Sequence, residues 1–272
     1  MELVLAEKIP QGRDDKFLTE LDRKLREISS GLAVNFGPIG LTKNRMPKLQ
    51  VSGDDEEAFV EILRRSFGLT PNSNQDLLDQ PIHKGFVQKR NQENVILIDI
   101  GLRNYPQFQV TLKAERLRAQ LFDGARIPLQ DMTAKYGFLE DFPLELRVIT
   151  CDSATRNIEV ELSDRQMERL EEWRRLPLDR INIQDALDSE ILSAVGRAGL
   201  ERDIAGLETL SFGAHSLVCK LGTDGKGLVR ILGSQLEMAR LFVFHPDSGS
   251  NSEARTSRND RTMSSRRRNT SY

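Results

Sequence analysis

Hydrophobic and polar positions over residues 1–70 follow the order strand, helix, strand, strand, helix, which predicts a small α+β domain. The first helix has apolar residues every three to four positions, forming one buried stripe: Phe17, Leu21, Leu25 and Ile28. The second helix begins at the acidic run 54–57, whose carboxylates suit the positive end of a helix dipole. Residues 71–81 are polar and aperiodic, which is typical of a linker.

Short hydrophobic runs separated by turns dominate residues 82–163 and predict five strands. These runs are 84–87, 95–101, 108–112, 144–148 and 158–163. An insertion at residues 115–142 separates the third strand from the fourth, and it contains two helical stretches, 115–122 and 129–136. Long insertions in compact domains are more often functional than accidental, so we expect this segment to matter.

The last third of the chain predicts a second α+β unit. A connecting helix over residues 164–178 carries Trp173, the only tryptophan, and residues 179–245 follow the order βαββαβ. That order is the ferredoxin-like split βαβ arrangement, a term that here refers to the fold and implies no iron-sulfur cluster. Residues 246–272 are rich in serine, asparagine and arginine and predict a disordered basic tail that could contact phosphates without sequence preference.

Composition narrows the class of protein. The 272 residues are 38% apolar, enough to give two or three units a core, and a net charge of −2 means that any nucleic-acid contact must come from local clustering. No run approaches the length of a membrane span, and the chain starts with a strand-like segment, so we expect a cytoplasmic protein without a membrane partner. Cys151 and Cys219 have no spacing that indicates a disulfide framework or a zinc site.

The middle strands contain three notable features: Gly85 in Lys84-Gly85-Phe86-Val87, the run Ile98-Asp99-Ile100-Gly101 that ends the second strand, and Leu162-Ser163 at the end of the fifth. Together they resemble the S1 class of the OB-fold, a small five-stranded barrel that commonly binds single-stranded nucleic acid. Together with the two α+β units predicted from the pattern, the resemblance predicts an α+β multidomain fold class. In it, a central S1-like OB β-barrel is flanked by the N-terminal α+β domain and the C-terminal ferredoxin-like domain.

Several short blocks of the sequence carry a second resemblance: 83–87, 98–101, 120–124, 136–138, 162–166, 217–224 and 239–244. They look like a family of archaeal proteins known mainly as a conserved domain of unknown function, and the resemblance covers nearly the whole chain except the tail. This resemblance implies an archaeal, cytoplasmic protein and brings no established activity.

Basic residues are concentrated in the first half of the barrel sequence, whereas acidic residues dominate after Asp131. If the first three strands come together, their outer face would carry a positive groove with aromatic rings that stack on bases. The candidate nucleic-acid-binding residues are Lys84, Phe86, Lys89, Arg90, Arg103, Tyr105, Phe108, Lys113, Arg116, Arg118 and Arg126. The plainer alternative is that Phe86 and Phe108 face the barrel core and that the charges only solvate the surface.

Other motifs offer little chemistry. The segment 222–227 is glycine-rich and precedes a helix, but it lacks the spacing of a phosphate loop and fits a plain turn better than an anion site. The histidines, His83, His215 and His245, share no acid or nucleophile motif. We therefore expect no enzyme activity, no cofactor and no metal.

These observations leave three hypotheses. In the first, the S1-like barrel binds RNA in translation or RNA processing. In the second, the protein is an interaction adaptor on the ribosome or the transcription machinery, without RNA affinity of its own. A third, based on fold analogy alone, is that the C-terminal domain senses a small ligand.

Overall fold

The computed structural model describes residues 1–80, 82–88, 94–102 and 108–246. The N-terminal domain contains β1 (Glu2–Val4), α1 (Asp14–Ile28), β2 (Val34–Phe36), β3 (Gly40–Leu41), β4 (Pro47–Gly53) and α2 (Glu56–Ser66). Its strands form an antiparallel sheet in the order β1-β4-β2, with β3 also paired to β4. The predicted stripe of α1 is confirmed, since Phe17, Leu21 and Leu25 are completely buried in the core of this domain and Ile28 packs against it partly buried.

The segment 71–81, predicted to be an aperiodic linker, contains a short helix instead, α3 (Asn74–Asp79). Ser73 caps this helix, because its hydroxyl accepts a hydrogen bond from the Asp76 amide and the Asp76 carboxylate accepts one from the Ser73 amide. Leu77 is completely buried in the core of the following unit. The helix is too short to show a periodic pattern, which is why the sequence suggested a linker.

The middle of the chain forms a closed five-stranded barrel, as the sequence predicted. Its strands are β5 (Ile82–Val87), β6 (Val95–Asp99), β7 (Gln109–Lys113), β8 (Pro143–Asp152) and β9 (Asn157–Leu162). The order around the barrel is β5-β6-β7-β9-β8, with β7 and β9 parallel and the other neighbours antiparallel. Gly85 faces the interior, where an added Cβ would lie 2.5 Å from Cγ2 of Ile98, so there is no room for a side chain.

The predicted insertion provides part of the barrel's core. It forms α4 (Ala114–Leu121) and α5 (Leu129–Tyr136), and α6 (Asp164–Arg175) follows the barrel. Leu117, Met132 and Tyr136 are completely buried and share one hydrophobic cluster with the barrel interior and Trp173. The insertion therefore joins the barrel to the rest of the molecule.

The C-terminal part has the βαββαβ order that the sequence predicted. It consists of β10 (Arg180–Gln184), α7 (Asp188–Arg197), β11 (Ile204–Ser211), β12 (Ala214–Cys219), α8 (Gly225–Gly233) and β13 (Arg240–Phe244). The sheet order is β11-β12-β10-β13, and all neighbours are antiparallel. Apolar residues of α7 and α8 form a core with one face of the sheet, to which Ile181, Ile183 and Leu217 contribute.

The other face of this sheet packs on the insertion. The ring of Phe244 lies 5.6 Å from the rings of both Tyr136 and Trp173, measured between centroids. Gly137 ends α5 in the left-handed conformation, with φ at +67°, and a Cβ there would lie 2.2 Å from Cδ1 of Phe242. The barrel and the C-terminal sheet thus meet in close contact.

The N-terminal domain is fixed to the barrel through the Ile98–Gly101 run. The Asp99 carboxylate binds the Lys8 ammonium at 2.8 Å and the Asn44 amide at 3.1 Å. Gly101 allows close packing, since a Cβ there would lie 2.4 Å from Cγ2 of Thr70.

Within the described residues, no helix has the length and apolar character needed to cross a membrane. The predicted tail lies outside them from residue 247 onward.

Candidate nucleic-acid interface

The structure tests the predicted interface at seven of its eleven residues. Lys89, Arg90, Arg103 and Tyr105 lie outside the described residues, so their roles stay predictions. The other seven do not form one open cationic face, and the reasons differ from residue to residue.

Lys113 and Arg116 are paired with carboxylates of β9. Glu159 accepts hydrogen bonds at 2.6 Å from both the Lys113 ammonium and the Arg116 guanidinium, and Glu161 lies 3.2 Å from the same guanidinium. The hydrogen bonds from Lys113 and Arg116 lower the pKa of Glu159 and keep it ionised. Positive charge at this part of the barrel is therefore largely neutralised.

Phe86 cannot stack on a base in this structure, which corrects the predicted role of this ring. Its side chain is 1% exposed and packs with Val4 and Met46 of the N-terminal domain. Neither sequence-based alternative described it fully, because the preceding Gly85 faces the barrel interior and Phe86 points outward under the neighbouring domain. Phe108 is half-buried against the barrel core, in agreement with the plainer alternative.

Each of the remaining predicted cations has a different structural role. Arg118 donates a hydrogen bond from Nε to the carbonyl of Ile127 at 2.8 Å, and so holds the turn between the two insertion helices. Arg126 is exposed in that turn. Lys84 differs from Arg118 and Arg126, because it lines a groove that other basic residues also line.

This groove, which we call the junction groove, lies where the N-terminal domain, the barrel and the C-terminal domain meet. Its volume is about 670 Å³. Four elements place basic side chains along it: α1, α2, β5 and α6. These side chains are Lys24, Arg64, Arg65, Lys84, Arg165 and Arg169. Among the described residues, two carboxylates line the same groove, those of Glu7 and Glu145.

Each of the six groove cations is paired with a carboxylate, and for Lys24, Arg64, Arg65 and Arg169 that carboxylate does not itself line the groove. Arg65 binds Glu61 at 2.9 Å and Arg165 approaches Glu145 at 3.7 Å, but the two arginine side chains remain 79% and 76% exposed. Exposed ion pairs of this kind contribute little to stability, about 0–1 kcal/mol, so these guanidiniums can exchange a carboxylate for a phosphate at low cost. Arg169 is more enclosed and binds Glu208 at 3.0 Å.

Sequence reasoning identified only Lys84 in this groove. Two pairs of basic residues in the groove were visible in the sequence. Arg64 and Arg65 are adjacent at the end of α2, and Arg165 and Arg169 are four positions apart on one face of α6. Nothing in the sequence showed that these elements, about a hundred residues apart, face one another. The groove depends on tertiary packing.

Other sequence candidates have structural roles. The glycine-rich turn before α8 has its amides occupied: Asp224 accepts from Lys226 and Gly227, and Asp179 accepts from Gly225. His83 and His215 are buried, and this burial lowers the pKa of each imidazole. Among the described residues, no group of three or more His, Cys, Asp or Glu side chains is arranged to hold a metal ion.

Comparison with solved structures gives a distant similarity. One chain of the crystal structure of the a/eIF2alpha-aDim2p-rRNA complex from Pyrococcus horikoshii OT3 aligns at 14% identity with a TM-score of 0.23. The alignment covers 55% of this chain and 66% of that chain, just under two thirds of its length. Similarity at this level carries no conclusion about function. No curated protein matches the chain in sequence.

Family comparison is decisive. Residues 79–174 match the DUF2110 central domain, and residues 178–244 match the DUF2110 C-terminal domain. The first match covers α3 in part, the barrel and α6, and the second covers the C-terminal sheet with its helices. Together they span more than half of the sequence. The chain belongs to the DUF2110 family, a conserved family of unknown function.

Proposed function

We propose that the protein binds RNA, without catalysing a reaction, and that the junction groove contacts the phosphate backbone. The observation that carries this proposal is the set of six basic side chains from four elements that line one groove, against two carboxylates in the part of its lining that the structure describes. Phosphates paired with Lys and Arg release condensed counterions, which supplies much of the affinity in sequence-independent binding.

The barrel supports the choice of nucleic acid as the ligand. Its closed ring of five strands, with the third and fifth strands parallel, supports an OB-fold, a class whose barrels commonly bind oligonucleotides. We propose that it is S1-like, as the sequence suggested, and that the βαββαβ domain is ferredoxin-like and supplies a wall of the groove. Roles in translation or RNA processing remain part of this proposal.

The groove favours contacts with phosphates over contacts with bases. Its two aromatic residues, Phe67 and Phe212, are 7% and 6% exposed, so neither ring offers a stacking surface. Stacking would otherwise contribute about 1–3 kcal/mol per base. We therefore expect binding that depends weakly on sequence and strongly on salt.

The proposal can be tested by fluorescence anisotropy with labelled single-stranded RNA over a series of salt concentrations. The logarithm of the association constant should fall with the logarithm of the salt concentration by about 0.7 for each phosphate contacted. The double variant Arg65→Glu/Arg165→Glu should weaken binding and reduce this slope, because both residues line the groove and are mostly exposed.

A matched control makes the same change in net charge at a surface position outside the groove. Arg23→Glu/Arg26→Glu reverses two exposed arginines of α1 that do not line the groove, and it should leave most of the affinity intact. Lys113→Glu tests the barrel face predicted from the sequence. If this variant loses affinity and the groove variant does not, the interface lies on the barrel.

Experiments on the same protein also distinguish the adaptor hypothesis from RNA binding. Absence of RNA affinity at low salt, together with a protein partner that survives nuclease treatment, would overturn the RNA proposal. The same groove would then have to be tested for an acidic protein segment.

A further inference from the structure

At the floor of the junction groove, one buried carboxylate connects all three parts of the molecule. Glu7 follows β1 of the N-terminal domain and is 1% exposed. Its Oε1 accepts a hydrogen bond from the Lys84 ammonium of the barrel at 2.6 Å, and its Oε2 accepts one from the Phe212 amide of the C-terminal domain at 2.9 Å. Both carboxylate oxygens are therefore used.

Lys84 has one donor left for a ligand. An ammonium group carries three N–H donors. One is given to Glu7, and a second is given to the carbonyl of Phe67 at 2.8 Å. The lysine side chain is 23% exposed and lines the groove. A phosphate that reaches this ammonium must share it with the Glu7 carboxylate.

The charged groups around Glu7 come from every element that packs against it. Lys84 of β5 is in direct contact, and Lys24 of α1 acts at longer range. Further along the groove are Arg64 and Arg65 of α2, Arg165 and Arg169 of α6, and Glu145 of β8. Burial raises the pKa of Glu7, whereas the attraction of Lys84 and the hydrogen bonds from Lys84 and Phe212 oppose the rise.

We propose that Glu7 is a positioning residue that couples occupancy of the junction groove to the uptake of one proton. When a phosphate binds at Lys84, the buried carboxylate loses part of its compensating charge, and leaving such a charge unpaired is costly. A proton from solvent then bonds to a Glu7 oxygen, Lys84 stays protonated, and the Phe212 amide keeps an oxygen acceptor. This inference rests on the proposed function, because it requires an anion in the groove.

The sign of the effect follows from linkage. The pKa of Glu7 is higher with ligand than without, so binding takes up protons in the pH interval between these two values. Affinity therefore increases as the pH falls through this interval, by at most about tenfold per pH unit for one proton. Above the interval, the ionised carboxylate competes with the phosphate for Lys84.

The test uses a uridine homopolymer as the probe, because uracil and the phosphodiester have no group that titrates in the acidic to neutral range. Its affinity for the full chain is measured at constant ionic strength from about pH 5 to pH 8, a range that also includes histidine titration. Calorimetry in two buffers with different heats of ionisation gives the number of protons taken up. We expect an uptake approaching one proton at the steepest part of the pH profile.

Glu7→Gln is the decisive variant, because it keeps the shape of the side chain and removes its titration. The variant should lose the part of the pH dependence of affinity that Glu7 causes. It should also bind the homopolymer several-fold more tightly at neutral pH, since no carboxylate competes for Lys84. Contributions from His83 and His215 remain in this variant, so they act as the internal background.

The outcomes distinguish the two proposals. No binding at any pH would refute the proposed function itself. Binding without proton uptake by the unaltered protein, or with the same pH profile in Glu7→Gln, would overturn the role of Glu7 and leave RNA binding standing. If Glu7→Gln does not fold, the absence of proton uptake by the unaltered protein would still overturn the role of Glu7.

Discussion

The contact between Gly137 and Phe242 permits a sharp test of how the C-terminal sheet is attached to the barrel. Gly137 and Gly124 both lie in the insertion and both have left-handed φ values, +67° and +74°. An added Cβ would lie 2.2 Å from Phe242 at the first position and would meet nothing within 4 Å at the second. Replacement of each glycine by alanine therefore separates backbone strain from steric overlap.

The expected magnitudes differ accordingly. A left-handed conformation costs a residue with a side chain about 1–2 kcal/mol, and both variants carry this cost. Carbon atoms normally approach to about 3.5–4.0 Å, so the Phe242 ring must move by more than an ångström in Gly137→Ala. Overpacking of this kind typically costs about 1–3 kcal/mol. We expect Gly137→Ala to lower the free energy of unfolding by that amount beyond Gly124→Ala.

Urea titration followed by tryptophan fluorescence is the suitable assay, because Trp173 is the only tryptophan and its ring packs against Phe244 on the neighbouring part of β13. Equal losses in the two alanine variants would refute the close packing of the sheet on the insertion. They would also weaken the case for the junction groove, since the C-terminal domain forms one of its walls.

Other predictions concern charge and burial. Lys84→Met should lower the free energy of unfolding by about 3–5 kcal/mol in urea titration, since it leaves Glu7 buried and unpaired. The double variant Glu7→Gln/Lys84→Met should recover much of this loss. A further loss of stability in the double variant would contradict the argument. Because burial lowers the pKa of His83 and His215, the unfolded chain takes up protons first below about pH 6.5. Stability should then decrease with falling pH more steeply than in His83→Gln/His215→Gln, and parallel profiles would exclude this contribution. Trp173 is 1% exposed, so its native fluorescence should resist iodide quenching; efficient quenching would contradict its burial.

Much of the fold followed from local pattern. The βαββαβ order of the C-terminal unit was predicted correctly, because its strands, among them β10 and β13, are short apolar runs bounded by turn residues. The helices of the insertion were equally clear, since Leu117, Met132 and Tyr136 fall on buried faces. Local pattern failed at α3, where a capping interaction between Ser73 and Asp76 replaces periodicity as the signal.

The candidate site was less predictable, because the availability of a charge depends on partners that are distant in sequence. Lys113 and Arg116 appeared free until β9 brought Glu159 beside them. Phe86 points out of the barrel, as strand alternation allows, but the N-terminal domain covers that side. Sequence alone could not predict that cover, since Val4 and Met46 belong to a different domain.

The position of Glu7 has a practical consequence for anyone who isolates parts of this protein. A fragment limited to residues 79–174 would retain the barrel but would lose the carboxylate that binds Lys84 and the ammonium that binds Asp99. Two ionised side chains at the cut surfaces would then be left to water. Binding measured on an excised barrel would therefore describe a surface that the intact chain does not present.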